Sequence, residues 1–269
     1  MQITAVIGSY RKGRTLGIVR RIEQHMKSLG DVTFNYIYLS EVALAPCRGC
    51  FACIGRGEEK CPLKDGFADI EKALSESDGA IFASPNYAMG ATAIMKQLID
   101  RFAYIGHRPK FLGKYMAAVA TSGGPMGLKQ TLDSLCYFSG GGYEVVSRLG
   151  LQTPPTKLSP RAAQKQQRAI EKTAQALYDA VSQKRACRPD MGSVIQFAAF
   201  RGMYLKNPAL GEAEFPCDMA YWRKMGWLDK GARTFTGVYP GPLKAALGWL
   251  FEKIIGAAAK SMKSERAAD

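Results

Sequence analysis

Apolar residues in the first 185 or so positions form short unbroken runs that alternate with longer stretches of helical spacing. The runs are rich in β-branched and aromatic side chains, which predicts buried strands over residues 3–7, 32–39, 80–84, 115–121 and 143–149. Apolar positions every three or four residues predict helices over residues 15–28, 66–75, 91–102, 126–139 and 162–184. This alternation predicts a parallel sheet in the order 2-1-3-4-5, covered by helices on both faces.

The strand–helix rhythm stops near Pro189, which predicts a first domain over residues 1–188 and a mainly helical extension over 189–269. The extension ends in a predicted helix over residues 242–260 with an apolar stripe flanked by lysines and Trp249. The stripe consists of Leu243, Leu247, Leu250, Ile254 and Ala258. Such a stripe is expected to pack on its own protein or on a second subunit. The alternative is contact with an anionic membrane surface.

Composition and charge narrow the class of protein. The 269 residues are 47% hydrophobic, and 37 basic residues exceed 23 acidic ones for a formal net charge of +14. Such an excess can attract nucleic acid, anionic lipid or an anionic cofactor. The basic residues are spread along the chain without a nucleic-acid-binding motif, so nucleic acid is not expected as a partner. The absence of a signal-peptide pattern and of a long apolar run predicts a cytoplasmic protein.

Loops rich in small residues follow the first, third and fourth predicted strands. Because the carboxyl ends of parallel strands meet at one edge of a sheet, these loops are expected to converge on one ligand. The first loop precedes a helix and carries hydroxyls on Ser9 and Thr15 and cations on Arg11 and Arg14, which suits a phosphate. It is neither a Walker A sequence nor a G-x-G-x-x-G motif, and the alternative is a basic surface turn.

The other two loops, residues 84–90 and 121–124, offer an aromatic ring and backbone amides that suit a flat heterocycle with a polar edge. Each loop alone is a weak signal because glycine after a strand is commonly only a turn. The three loops in this order make a much stronger prediction of a nucleotide-type site.

Four cysteines lie within fifteen residues between the second strand and the next helix, in the spacing C-x2-C-x2-C-x7-C followed by Pro62. Two consecutive x2 spacings are typical of ferredoxin-like iron–sulfur sites, whereas zinc sites usually use two separated pairs. An iron–sulfur cluster, a zinc ion and a loop without metal all remain open on the residues alone. The isolated Cys136, Cys187 and Cys217 are expected to be packing or surface thiols.

Particular motifs make the chain similar to a known family. Gly8-Ser9-x-Arg11-x-Gly13-x-Thr15, Ser84-Pro85-x-Tyr87 and Met95-Lys96-x-x-Ile99-Asp100-Arg101 resemble the flavodoxin-like NADPH-dependent FMN reductases. With the cysteine insertion at residues 40–66, the resemblance is closest to iron–sulfur flavoproteins. It covers about residues 1–185 and implies a flavodoxin-like three-layer α/β/α sandwich with a five-stranded sheet. It also implies a homodimer or homotetramer.

The resemblance further implies non-covalent FMN, with its phosphate on residues 8–16 and its ring against residues 85–90 and 121–124. The implied FMN contacts are Ser9, Arg11, Gly13, Arg14, Thr15, Leu16, Pro85, Asn86, Tyr87, Ala88, Met89, Gly90, Thr121, Ser122, Gly123 and Gly124. The implied ligands of a [4Fe–4S] cluster are Cys47, Cys50, Cys53 and Cys61.

The function expected from the resemblance is an oxidoreductase that passes electrons from NAD(P)H through FMN to a quinone, a flavin or a similar acceptor. No side chain is expected to be catalytic, because the chemistry belongs to the flavin. His25 and His107 have no nearby acid or nucleophile in sequence, and the Asp100–Arg101 pair lies at a predicted helix end, so these residues are expected to be structural. The alternative is an electron carrier with no specific organic substrate, reduced by a partner such as ferredoxin.

Overall fold

A computed structural model describes residues 1–263 and contains the predicted alternation of strands and helices. The strands are β1 (Gln2–Ile7), β2 (Thr33–Tyr38), β3 (Gly79–Tyr87), β4 (Gly90–Ala91), β5 (Tyr115–Ser122) and β6 (Glu144–Gln152). The helices are α1 (Arg14–Leu29), α2 (Ala52–Gly55), α3 (Phe67–Glu76), α4 (Ala93–Arg101), α5 (Leu128–Leu135), α6 (Pro160–Gln183), α7 (Met191–Lys206), α8 (Pro208–Glu214), α9 (Pro216–Lys224) and α10 (Pro242–Ala259). Short 3-10 turns lie at Glu58–Lys60, Ala103–Gly106 and Cys136–Ser139.

The long strands form a parallel sheet in the order β2-β1-β3-β5-β6, which confirms the predicted order 2-1-3-4-5. The predicted count of five strands is corrected to six over residues 1–263, because β4 pairs antiparallel with the end of β3. A strand of two residues is too short to show in a hydrophobic pattern. It folds back directly from the end of β3. Strand β3 is itself longer than predicted, because it continues past Ser84 and Pro85 pairs with Thr121 of β5.

Helices cover both faces of the sheet and complete the predicted three-layer sandwich. On one face, α1 and α6 bury Leu16, Ile22 and Leu177 against β1 and β5. On the other face, the apolar sides of α3, α4 and α5 pack with Phe82 and Phe138, whose rings stack 3.8 Å apart between centroids. Every residue of β5 is buried, as expected for a strand covered on both sides.

The helices after residue 190 surround a cluster of aromatic residues of their own. Phe197 of α7 stacks on Trp222 of α9, and Trp227 and Phe235 pack edge-on against the same pair. These rings account for aromatic residues that showed no periodic pattern in the sequence. The mainly helical character predicted for the extension is therefore confirmed over the described residues.

Helix α10 packs on α7 through small residues, not through its leucine stripe. A Cβ on Gly202 of α7 would lie 2.5 Å from the carbonyl oxygen of Glu252, so the two backbones approach closely. Gly248 and Gly256 are buried in the same contact, while Leu243 and Ile254 are exposed. Of the two expected partners of the stripe, its own chain does not cover it within residues 1–263. None of the helices in this part of the chain combines the length and apolar character needed to cross a bilayer.

Candidate functional site

The first loop and the start of α1 form a surface that suits an anion. Ser9 donates a hydrogen bond to the carbonyl oxygen of Arg11 at 2.9 Å, which folds the loop into a compact turn. The turn leads into α1, which has Gly13 as its N-cap, no capping side chain and no acidic residue in its first turn. The first amides of α1 therefore lack a protein partner from a cap, and they lie beside the cationic side chains of Arg11 and Arg14.

Gly8 allows the loop to run close to α4. A Cβ at Gly8 would lie 2.8 Å from the Cβ of Met95 and 3.3 Å from the carbonyl oxygen of Ala83. The Gly8 amide donates to Ala83 at 2.8 Å, and its carbonyl accepts from the Thr92 hydroxyl at 2.7 Å. The end of β1 is thus fixed against β3 and α4 before the loop begins.

The side chain of Arg14 connects this loop to a segment that the sequence analysis missed. Its guanidinium donates to the carbonyl oxygen of Thr153 at 2.5 Å and also to those of Pro154 and Pro155. The segment follows β6 at the same edge of the sheet. The available signal was its position, because a loop rich in proline follows the last strand just as the other site loops follow theirs.

Asn86 and Thr121 join the remaining loops. The Asn86 amide donates to Ser122 Oγ at 3.1 Å and to the carbonyl oxygen of Met126 at 3.0 Å, and its oxygen accepts from Thr131 at 3.3 Å. The hydroxyls of Thr15 and Thr121 lie 2.7 Å apart in the buried floor of the site. These bonds hold the loops after β1, β3 and β5 in one arrangement.

The β3–β4 hairpin has a strained tip beside the site. Ala88 and Met89 form its two-residue turn with φ angles of 46° and 68°, a conformation that asparagine and glycine adopt more easily. Tyr87 and Met89 are each 44% exposed, so the hairpin presents an aromatic ring and a thioether next to the loops. This strain is stored at the position expected for a flat ligand.

The loops enclose a cleft of about 500 Å³, a volume in the range of ordinary small-molecule sites. Its lining residues are Ser9, Arg11, Gly13, Arg14, Thr15, Pro85, Asn86, Tyr87, Thr121, Ser122, Gly123, Thr153 and Pro155. The other sequence-predicted contacts, Leu16, Ala88, Met89, Gly90 and Gly124, are outside that lining. Leu16 has its side chain in the core, so only its backbone can face a ligand.

The cysteine loop begins after β2 and is closed at its base by an ion pair. Asp65 accepts two hydrogen bonds from Arg101 at 2.6 and 3.1 Å and two more from the amides of Ala45 and Phe67. Arg101 also donates to the carbonyl oxygens of Ala45 and Leu63, and its guanidinium lies 4.0 Å from Cys61 Sγ. Burial opposes the charge of Asp65, but the Arg101 and amide hydrogen bonds outweigh it and lower its pKa. The pair therefore ties residues before and after the cysteines together.

A second buried cation supports the loop from the side of the helical extension. Arg108 donates to the carbonyl oxygen of Cys53 at 2.5 Å, to that of Ile54 at 3.3 Å and to Glu58 at 3.0 Å. It also pairs with Asp218 of α9, which is fully buried. Neither residue of this contact was predicted from the sequence.

Asp218 has further partners that explain the role of His107. The carboxylate lies 2.7 Å from His107 Nδ1 and accepts from the Tyr204 hydroxyl at 3.0 Å. The imidazole packs on the Phe200 ring, with centroids 4.6 Å apart. His107 is thus part of a structural network around the buried Asp218 carboxylate.

Comparison with known proteins places this arrangement in a family. The family model described as NADPH-dependent FMN reductase matches residues 1–139. The chain belongs to the NADPH-dependent FMN reductase family. Membership confirms the resemblance inferred from the loop motifs and supports FMN as the cofactor.

Curated relatives within this similarity are named iron–sulfur flavoproteins. One from Archaeoglobus fulgidus is 32% identical over 126 residues, which cover 46% of this chain and 56% of the relative. Another from Methanocaldococcus jannaschii is 37% identical over 102 residues, or 38% of this chain and 51% of the relative. The chain thus spans between half and three fifths of the length of these relatives.

Solved structures show the same fold at low sequence identity. A flavone reductase aligns with a TM-score of 0.55 at 15% identity over 71% of this chain and 66% of its own. An apo NADH:FMN oxidoreductase aligns with a TM-score of 0.50 at 20% identity over 71% of this chain and 97% of its own. These likenesses confirm the flavodoxin-like architecture.

In this FMN reductase family member, the thiols of Cys47, Cys53 and Cys61 influence one another electrostatically, but they are not arranged as the ligands of one metal ion. Burial raises the pKa of the Cys53 thiol, and the sulfurs of Cys61 and Cys47 raise it further. Cys47 and Cys50 are exposed, while Cys53 and Cys61 are half-buried. Within residues 1–263 the structure does not gather three or more His, Cys, Asp or Glu side chains into a metal-binding group.

Proposed function

We propose that the protein is an FMN-dependent oxidoreductase that passes electrons from NAD(P)H through FMN to a quinone, a flavin or a similar acceptor. The observation that carries the proposal is the cleft of about 500 Å³ at the carboxyl ends of β1, β3 and β5. In this fold, ligands bind at that edge of the sheet. Membership of the NADPH-dependent FMN reductase family supports the flavin and the donor.

The phosphate of FMN would lie on the loop after β1. Uncapped amides at the start of α1, the buried hydroxyls of Ser9 and Thr15, and the Arg11 guanidinium all suit a dianion. Arg14 would act differently, because its guanidinium already holds the carbonyls of residues 153–155. It would add positive charge and keep that segment closed over one side of the cleft.

The flavin ring would lie between the β3–β4 hairpin and the loop after β5. Tyr87, in the lining of the cleft, offers partly exposed apolar surface for a ring face, and the amides of residues 122 and 123 suit its polar edge. When bound, FMN supplies hydride acceptance together with one-electron transfer. The residues of the chain orient the ring, exclude water from the face that they cover, and leave the rest of the cleft open to a donor or acceptor.

We also propose a [4Fe–4S] cluster on Cys47, Cys50, Cys53 and Cys61. The fit rests on the donor set, since all four groups are thiols, and on the backbone of a loop that Arg101 holds at its base and Arg108 holds at Cys53. Burial first, and then the neighbouring sulfurs of Cys61 and Cys47, raise the pKa of the Cys53 thiol, and a bound cationic centre would offset both effects. A bound cluster would supply exchange of single electrons with a partner.

A second candidate is an electron carrier reduced by ferredoxin, with no specific organic substrate. The exposure of Cys47 and Cys50 favours this candidate, because a cluster held there would lie within reach of a partner protein. Anaerobic mixing with NADPH separates the two functions. Rapid bleaching of the flavin absorbance supports the oxidoreductase, whereas reduction only through ferredoxin supports the carrier.

The flavin site is tested by titrating apoprotein with FMN and following the quenching of flavin fluorescence. Arg11→Ala is expected to weaken binding by about tenfold or more, because it removes a charge-assisted contact to the phosphate. Arg20→Ala is the matched control, since Arg20 is an exposed arginine further along α1. Equal FMN affinity in both variants would refute the phosphate assignment, and a protein that takes up no FMN would refute the function.

The cluster is tested by iron and acid-labile sulfide analysis after anaerobic purification. About four of each per chain are expected in the wild type, with loss of both in Cys50→Ala and Cys53→Ala. Cys136→Ala is the control, because Cys136 lies outside the loop, at the start of the 3-10 turn that follows α5. Retention of iron and sulfide in the loop variants would refute the ligand assignment without affecting the flavin site.

A further inference from the structure

Helix α10 has two apolar faces of different character. Its inner face carries the small residues Gly248, Gly256 and Ala259, which are buried against α7. With 3.6 residues per turn, the leucine stripe lies on the opposite side of the helix and forms an outer face. This outer face consists of Leu243, Leu247, Leu250, Ile254 and Ala258.

The outer face has no cover from the rest of the described chain. Leu243 is 71% exposed, Ile254 53% and Leu250 46%. Trp249, on the flank of the stripe, is 55% exposed. Single exposed apolar residues are normal on a soluble protein, but a continuous row along a whole helix marks an interaction surface.

Positive charge borders the outer face. Lys253 and Lys260 lie on the same flank as Trp249, and the Lys253 ammonium is 5.7 Å from the centre of the indole ring. The one acidic residue of α10, Glu252, lies on the inner side and accepts a hydrogen bond from Arg201 at 2.7 Å. The exposed part of α10 therefore combines apolar side chains with lysines and no acidic residue.

We propose that the outer face of α10 binds the surface of an anionic lipid membrane, with the helix lying in the plane of the interface. An apolar row flanked by lysines and tryptophan is the arrangement that interfacial helices use. The leucines and Ile254 would enter the acyl boundary, Trp249 would lie at the headgroup level, and the lysines would meet lipid phosphates. The attachment would bring the flavin site to a membrane, where lipid-soluble acceptors such as quinones are dissolved.

A second copy of the chain is a weaker fit to the same face. Two copies docked through their stripes would bring Lys253 and Lys260 of both chains into one interface with no acidic residue of α10 to pair with them. The formal net charge of +14 on each chain adds to that repulsion. An anionic surface, in contrast, would attract both the lysines of α10 and the positively charged chain as a whole.

Binding is measured by co-sedimentation of the full chain with vesicles of phosphatidylcholine alone or with phosphatidylglycerol. Wild-type protein is expected to bind the mixed vesicles, to bind neutral vesicles at least tenfold more weakly, and to lose affinity with added salt. Emission of Trp249 is expected to shift to shorter wavelength on binding. Trp222 and Trp227 are already buried and are not expected to contribute to the shift.

Two double variants separate the apolar and the ionic contributions. Leu250→Gln with Ile254→Gln removes the apolar insertion without changing charge, and Lys253→Glu with Lys260→Glu reverses the local charge. Each is expected to weaken binding by about tenfold or more. The matched control is Lys165→Glu with Lys172→Glu, because those lysines are exposed and spaced seven apart on α6. The control is expected to bind nearly as the wild type does.

Three results would overturn the proposal. Equal losses in the α10 and α6 lysine variants would show non-specific attraction by the whole charged protein. Absence of vesicle binding by the wild type would exclude the membrane. A wild-type dimer in analytical ultracentrifugation that the Leu250→Gln/Ile254→Gln variant loses, without vesicle binding, would assign the face to a second copy.

Discussion

Replacing Asp218 with alanine tests whether the helical extension stabilises the cysteine loop. The carboxylate is fully buried and accepts hydrogen bonds from His107, Arg108 and Tyr204. Its removal leaves the buried Arg108 guanidinium with Glu58 as its remaining carboxylate partner, so the loss is expected at the lower end of the range of about 3–5 kcal/mol that is typical of a broken buried ion pair. The free energy of unfolding, measured by urea titration, is expected to fall by about that amount.

Asp133→Ala is the matched control for this change. Asp133 also pairs with two basic side chains, Lys129 and Arg148, but its side chain is 43% exposed. Surface pairs of this kind contribute at most about 1 kcal/mol because water screens them. Equal losses of stability in the two variants would refute the inference that burial makes the Asp218 network important.

The same substitution has a second, local consequence. Arg108 also holds the carbonyl oxygens of Cys53 and Ile54, so a displaced guanidinium would loosen the loop. In the absence of urea, the half-buried Cys53 thiol is then expected to react faster with a thiol reagent in Asp218→Ala than in the wild type. An unchanged rate for Cys53 would limit the role of Asp218 to the stability of the extension.

Two further predictions follow from single positions. Gly8→Ala is expected to destabilise the fold by about 1–3 kcal/mol through its clash with Met95, whereas Gly17→Ala, with open space at its Cβ, is expected to be neutral or stabilising in urea unfolding. Asp65→Asn is expected to destabilise the protein at pH 7. Because the pKa of Asp65 is lowered by folding, its contribution is present above its ordinary value near 3.8 and is lost as the pH falls through the lowered value. The difference from wild type should therefore be nearly constant from about pH 7 to about pH 5 and should shrink as the pH falls below about 4; a difference that stays constant down to about pH 3 would refute the ionic role of Asp65.

The pattern of hydrophobic and polar residues was sufficient to predict the sheet and the position of the cleft. A continuous run such as residues 3–7 is compatible with few structures other than a buried parallel strand, and strand order then determines which loops meet. Ser9, Thr15 and Thr121 could be placed together on that basis alone. The closure of the cleft by Arg14 could not, because it depends on carbonyl groups 139 to 141 residues away.

The contacts that stabilise the cysteine loop could not be predicted from the sequence either, because they also join residues far apart in the chain. Arg108 and Asp218 are 110 residues apart, and neither belongs to a motif. A charged residue in a loop or a short helix is ordinarily solvated, so nothing local distinguishes Asp218 from a surface aspartate. Only the packing of α9 on the loop removes this carboxylate from water and makes it a partner for a buried arginine.

The sequence pattern did not reveal which face of α10 packs on its own chain, because the helix has no polar face opposite its leucines. Periodicity identifies an apolar stripe but assumes that the largest apolar residues are the ones that pack. Here Gly248 and Gly256 allow α10 to approach the backbone of α7 at Gly202 more closely than leucine side chains could. Close backbone contact through small residues then directs Leu250 and Ile254 away from the protein. The exposed row is therefore a consequence of how the two helices pack, and it is the feature of this extension that calls for a partner outside the described chain.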